Sequence, residues 1–315
     1  MQREKGHSEM KKVYITGLAG LLGSNLAFLL KDSYEVYGAD IVDVKMPGIH
    51  TAHYDILEED KVREELVVTQ PDIVIHTVAA VNVDLCEANP EFATRLNASS
   101  TQILTNICRE LGIKLIYIST DAVFDPSENR LNTEKDQTNP KNEYGRTKLL
   151  GEQFALKVKE NLVLRTNIYG CNIQNKLSFG EWIRTSLLED QTLNMFSDIY
   201  FSPILVNDLA VLIDLCIKKK LCGLYHACGT GSVNKYEFGT YLKKEFQIET
   251  GTINKSASDN VTFQAPRSQY MGMSNEKIKQ ALNVSIRTPY ESIQYFRQLF
   301  EQSYDQKLKE FGGMV

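Results

Sequence analysis

Strand-like and helix-like stretches alternate from residue 11 to residue 170, and this alternation restricts the fold more than any other property of the chain. The runs "KKVYITG" (11–17), "EVYGAD" (35–40), "PDIVIHTVA" (71–79), "KLIYIST" (114–120) and "NLVLRTNIYG" (161–170) are short and rich in β-branched and aromatic residues, and they read as strands. Between them, residues 20–32, 56–70, 89–112 and 142–158 carry apolar residues at helical spacing. The third of these is a long helix with Asn89 as N-cap candidate, Pro90 in its first turn and Gly112 at its end. Several strands are apolar on both faces. Such strands belong in a parallel sheet held between two helix layers.

Composition narrows the class further. The net charge of -5 comes without any long basic run, which excludes a nucleic-acid partner, because phosphate binding needs clustered Lys and Arg. No apolar run reaches the roughly 18 to 20 residues that cross a membrane, so no membrane span is expected. Cysteines at 86, 108, 171, 216, 222 and 228 show no Cys-x-x-Cys pair and no metal-ligand spacing. They read as reduced thiols in a reducing cytoplasm, and no metal site is predicted from them. The polar leader 1–10 reads as a flexible tail.

"TGLAGLLG" (16–23) sets Gly17, Gly20 and Gly23 between the first strand and the first helix. Gly17 can take a tight turn. Gly20 lets a pyrophosphate approach the helix N-terminus, where free N–H groups favour anions, and Leu21 and Leu22 open that helix. Gly23 lets the helix pack closely on the strand. Asp40 ends the second strand, 20 residues after Gly20, where a carboxylate accepts hydrogen bonds from an adenosine ribose and repels a 2′-phosphate. NAD(H) is therefore the favoured cofactor, with NADP(H) the alternative.

The expected fold is α/β: a Rossmann-type doubly wound parallel sheet with a smaller C-terminal α/β substrate lobe. The NAD-binding domain is expected at 11–170, with a returning segment near 203–230. Residues 171–202 and 231–315 would make the lobe.

"NEYGRTKLLGE" places Lys148 four residues after Tyr144, on one helix face. Read alone, this spacing also fits the solvent face of an ordinary helix. Beside a cofactor turn it fits a proton donor. An unperturbed phenol titrates at about 10; a nearby positive charge lowers that value and makes a better general acid. Thr120, in "STD" at the end of the fourth strand, can orient a carbonyl.

Together, "ITGLAGLLGSNL", "PDIVIHTVAAVNVDLCEANPEFATRLN", "YISTDAVFD", "NPKNEYGRTKLLGE", "LRTNIYG" and "GLYHACGTGS" resemble the extended short-chain dehydrogenase/reductase superfamily. Within it they are most similar to the dTDP-4-dehydrorhamnose reductase family. The resemblance covers roughly residues 11 to 230, with a weaker match in "APRSQYMGMSNEKI" (265–278). It implies hydride transfer to the C4 ketone of a nucleotide-linked 4-keto-6-deoxysugar. Tyr144 would be the proton donor, and Lys148 would bind the nicotinamide ribose. Thr120, with Asp121 beside it, would bond the substrate oxygen. Asn97 would support the lysine and a proton-relay water. Asp55 and Ile56 would contact the adenine, and Ala79 and Ala80 would line the cofactor side of the third strand. No acidic cluster demands the Mg²⁺ linked to some family members, and the resemblance leaves a homodimer open.

Ala122 follows Asp121 where related dehydratases carry a glutamate, and alanine cannot act as an acid or base, so water loss is disfavoured. "STDAVFDPSEN" lacks the cysteine of the epimerase-reductases. A nucleotide-sugar 4-epimerase, or a cofactor-binding subunit of another enzyme, remains the alternative to a reductase. Three departures from the resembled family stand out. Ile168 stands where it often has a substrate-packing tryptophan. "RSQY" keeps Arg267, a diphosphate or salt-bridge candidate, but has Tyr270 in place of an asparagine. His76, at the third strand's end, reads as a packed strand residue.

Overall fold

A computed structural model describes residues 10–313; apart from Met10, the expected N-terminal tail lies outside the described residues. The strands are β1 (Lys12–Thr16), β2 (Glu35–Asp40), β3 (His50–His53), β4 (Ile73–His76), β5 (Lys114–Thr120), β6 (Leu162–Thr166), β7 (Ile168–Tyr169), β8 (Thr192–Phe196), β9 (Tyr200–Phe201), β10 (Ile204–Leu205), β11 (Gly223–His226), β12 (Val233–Asn234) and β13 (Thr252–Ser256). The helices are α1 (Leu21–Leu30), α2 (Glu59–Thr69), α3 (Val83–Ala88), α4 (Pro90–Thr94), α5 (Ser100–Leu111), α6 (Glu143–Ala155), α7 (Phe179–Leu188), α8 (Val206–Lys218), α9 (Lys235–Glu245), α10 (Glu276–Leu282), α11 (Pro289–Glu301) and α12 (Tyr304–Phe311).

Seven strands form one parallel sheet in the order β11-β6-β5-β4-β1-β2-β3. The order reverses between β1 and β4, and in such sheets ligands bind outside the carboxyl ends of the strands at that reversal. The register sets Thr16 level with Ala39 and His76, and Thr120 level with Thr166. The functional strand ends therefore finish along one edge.

Alternate residues of each strand enter opposite cores. Val13, Ile15, Ile75, Ile116 and Leu164 pack with Leu22, Leu26 and Leu30 of α1 and Leu209 and Ile213 of α8. Tyr14, Val74, Leu115, Tyr117 and Val163 pack with Val62 and Leu66 of α2 and Leu104 and Ile107 of α5. The first core runs on without a break into Ile183, Phe238 and Phe296 of the C-terminal part. Helix α12 returns to α1, where Phe28 meets Tyr304 and Phe311 edge-on at 5.6 and 5.2 Å and the Tyr304 hydroxyl donates to Asn25 Oδ1 at 2.7 Å.

Two local expectations need correction, and two further features lie beyond them. The stretch 89–112 is helical but contains a π turn over Arg95–Ser99. Asn89 makes no side-chain cap; Asn82 caps an unexpected helix, α3, instead, accepting from the Leu85 N–H at 3.0 Å. The edge strand β3, "HTAH", has no apolar run to reveal it. Near the C-terminus α11 and α12 are separated at Ser303, which turns left-handed with φ 53°.

A buried ion pair fixes α6 on the sheet. Arg165 of β6 donates through Nε and Nη2 to both oxygens of Glu152 at 2.8 and 2.7 Å, and Ser119 of β5 donates to the same carboxylate at 2.6 Å. Both side chains of the pair are at most 4% exposed. Removing one member leaves the other charge buried alone. Arg165→Met should lower unfolding stability by about 3–5 kcal/mol, and Arg165→Met with Glu152→Leu should recover most of it, read by denaturant melts.

Candidate active site

A cavity of ≈ 830 Å³ opens at the carboxyl edge of the sheet. At one end, β1 turns into α1. Gly17 adopts φ +76°, and a Cβ there would lie 2.7 Å from Thr77 Oγ1. A Cβ on Gly23 would come within 2.0 Å of the Gly17 carbonyl oxygen, so only glycine permits this approach of helix and strand. Gly20 precedes α1 and no side chain caps it, which leaves the helix N-terminus free for an anion. Asp40 braces the turn: its oxygens accept from the Ala19 N–H at 2.8 Å and the Val42 N–H at 3.0 Å. Gly17, Gly20, Leu21, Leu22, Asp40, Asp55, Ile56 and Ala79 line the cavity. The residues present thus fit a dinucleotide: a cradle that a Cβ would fill, an uncapped helix end and a carboxylate on the second strand.

Thr120, Asp121, Tyr144 and Lys148 line the other part of the same cavity. The tight start of α6, capped by Asn142 accepting from the Gly145 N–H at 2.9 Å, positions Tyr144. Lys148 lies one turn on, only 3% exposed; its ammonium donates to the Ile118 carbonyl at 2.7 Å and lies 4.3 Å over the Tyr117 ring. Burial pulls the Lys148 pKa down to about 7, against the raising effect of Glu152. Desolvation pushes the Tyr144 phenol up to about 12; the Thr120 hydroxyl opposes this and Asp121 adds to it. The expected lowering of this phenol is therefore not present in the free protein. Burial dominates the shift, and Lys148 is itself close to neutral, so the phenol keeps its proton.

The other assigned residues divide. Asn97 and Ala80 stand behind the cavity wall. The Asn97 amide accepts from the Ala80 N–H at 2.7 Å, and donates to the Ala80 carbonyl at 3.3 Å and to Thr147 Oγ1 at 3.0 Å. Its side chain thus holds the Ala80 backbone and the Thr147 hydroxyl rather than Lys148. Ile168 and Arg267 line the cavity. Arg267 pairs with Asp84 at 2.9 Å, while its Nη1 is buried without a partner. Tyr270 is not in the wall; it packs against Tyr200, and Ser268 and Met271 line the cavity beside it. His76 is fully buried. Ser100 Oγ donates to the Leu96 carbonyl at 2.5 Å and so accepts from His76 Nε2 at 3.2 Å, which leaves Nδ1 to accept from Thr16 at 2.8 Å. Burial and Lys148 push its pKa down to about 3, so it stays neutral.

The family described as RmlD substrate binding domain matches residues 10–301. The chain belongs to this family. It is 30% identical over 275 residues to the spore coat polysaccharide biosynthesis protein SpsK of Bacillus subtilis, a match covering 86% of this chain and 92% of that protein. It is 27% identical over 300 residues to methionine adenosyltransferase 2 subunit beta of Bos taurus, covering 89% and 85%. The crystal structure of dTDP-4-dehydrorhamnose reductase from Bacillus anthracis in complex with NADP superposes with a TM-score of 0.81 at 25% identity, covering 91% of this chain and 98% of that one. As in other members of a doubly wound fold, the site lies at the reversal of strand order.

Sequence reasoning missed Thr166, Asn167, Asn142 and the loop residues Asn172, Gln174 and Lys176, all of which line the cavity. Thr166 is the strand end in register with Thr120, and Asn167 joins it to a recognised position, Ile168, so the strand pairing held the signal.

Between pH 7 and its ordinary 10.5, Lys148 is protonated in the unfolded chain and mostly neutral in the native one. The unfolded state then binds more protons, so this residue makes native stability rise with pH across that window. Lys148→Met should flatten that part of the stability–pH curve, measured by urea melts at several pH values.

Proposed function

We propose that the protein is an NADH-linked reductase acting on the C4 ketone of a nucleotide-linked 4-keto-6-deoxysugar, with Tyr144 as proton donor. One observation carries this reading: Thr120, Tyr144 and Lys148 converge on a single cavity whose far end is the glycine turn and Asp40. The similarity to a polysaccharide biosynthesis protein and to a dTDP-4-dehydrorhamnose reductase supports the substrate class.

The bound nicotinamide would supply the hydride. The backbone N–H groups at the start of α1 would hold the pyrophosphate, and Asp40 the adenosine ribose. The wall at that end, Ala39 to Ile41 and Tyr54 to Leu57, carries two carboxylates and no Lys or Arg. A 2′-phosphate would meet like charge there, which favours NADH over NADPH. Lys148 would hold the nicotinamide ribose, and Tyr144 would give its proton to the ketone oxygen as that oxygen gains charge. Ala122 lines the cavity after Asp121 and offers no acid or base for dehydration. Arg267, with its unpartnered Nη1, would face the diphosphate of the substrate.

The similarity to an adenosyltransferase subunit beta supports a second reading, a cofactor-binding subunit of another enzyme. Stoichiometric co-purification with an enzyme, without reductase activity, would favour it.

NADH oxidation with a panel of nucleotide-linked 4-keto-6-deoxysugars should show turnover. Binding of NADH without turnover of any of them would sink the reductase reading. Tyr144→Phe should lower kcat by at least about tenfold. NADH should bind more tightly than NADPH, and Asp40→Ala should narrow that difference in a fluorescence titration.

A further inference from the structure

We infer that Asp121 decides where the single hydroxyl hydrogen of Thr120 points, and so whether Thr120 can donate to the substrate's ketone oxygen. The inference rests on the reductase reading above. Thr120 Oγ1 accepts from the Ala122 N–H at 3.2 Å and donates to Asp121 Oδ1 at 3.2 Å. A hydroxyl has one hydrogen. While Asp121 is ionised, its carboxylate is a stronger acceptor than the neutral Tyr144 oxygen beside Thr120, so that hydrogen is engaged and Thr120 offers the cavity only a lone pair. A ketone oxygen is itself an acceptor and gains nothing from it.

Protonation of Asp121 reverses the bond. Asn167 Nδ2 already donates to Asp121 Oδ2 at 2.6 Å, so the incoming proton belongs on Oδ1. From there Asp121 donates to Thr120 Oγ1, and the threonine hydrogen turns to the cavity. The ketone oxygen then meets two donors, Tyr144 and Thr120. Only protons move, and no bond between heavier atoms changes.

The surroundings poise Asp121 for this. It is 2% exposed. Burial raises its pKa to about 6, while Asn167, Lys235 and Thr120 hold it down. Lys235, at the start of α9, keeps its ammonium 3.3 Å from the Phe201 ring centre and 4.4 Å from that of Phe179. Lys235 and Asp121 act on each other through charge, without a hydrogen bond between them. Tyr144 of α6 and Cys228 beyond β11 also face Asp121; their pKa values are raised and both stay neutral near pH 7. Asp121 is thus a positioning residue, and Lys235 biases it.

The test compares pH profiles of kcat/KM in the NADH-dependent reaction. In the wild type a limb should rise as pH falls through about 6. Thr120→Val should cost at least about tenfold on the acid side and much less on the alkaline side. Asp121→Asn, whose amide can donate to Thr120 permanently, should remove the limb, and Lys235→Met should move it to higher pH. Lys148 titrates nearby, but its contribution would survive in Asp121→Asn. An equal Thr120→Val loss at both ends, or a limb unchanged in Asp121→Asn, overturns the inference. Infrared difference spectra of the NADH-bound protein against Asp121→Asn need no turnover. They should show a carboxylic acid band that disappears as pH rises through about 6 and persists to higher pH in Lys235→Met. A band titrating in the ordinary carboxylate range overturns the inference even where no sugar is reduced. A normal infrared result without turnover faults only the reductase reading.

Discussion

The bond between Arg165 and Glu152 holds one wall of the cavity together. It joins β6 to α6 in the sheet interior, and Ser119 ties β5 to the same carboxylate. Glu152 lies one turn beyond Lys148 and two beyond Tyr144 on α6, so a clamp on the glutamate also sets the height of the tyrosine above Thr120. Packing alone would allow the helix to slide along an apolar face. A bidentate charge pair does not, because any slide strands a charge in low dielectric.

The same burial shapes the electrostatics. Lys148, His76 and Lys235 are all pushed towards neutrality, and Asp121 towards its acid form. A site that excludes water strengthens each remaining interaction, and it makes net charge costly. The chain meets this by engaging each group: Lys148 with a carbonyl, His76 between two hydroxyls, Lys235 above two rings, Asp121 with an amide and a hydroxyl. The phenol of Tyr144 keeps its proton in these surroundings.

Much of this was legible beforehand, for local reasons. The strand and helix order, the glycine turn and Asp40 follow from short-range spacing, and the cavity has them where that spacing implies. Elements failed where the local signal was absent or duplicated. Strand β3 is a polar edge strand with only partial cover. Two asparagines, Asn82 and Asn89, stood near the start of one helical region, and only the paths of the flanking chain decided which would cap. The lysine's charge alone predicts a lowered Tyr144 pKa, and the desolvation that raises it is a property of the packed site.

The sequence by itself determined the glycine turn and the pairing of Tyr144 with Lys148, because both are written within one turn or one helix face. Tertiary structure decided what those residues meet. It brought Asn167, Thr166 and Lys235 to the Thr120–Asp121 step from positions 45 to 115 residues away, and it turned Asn97 to the Ala80 backbone. It also set the direction of the Thr120 hydrogen bond. Such partners depend on strand order, register and burial, and these emerge only when distant segments share one core.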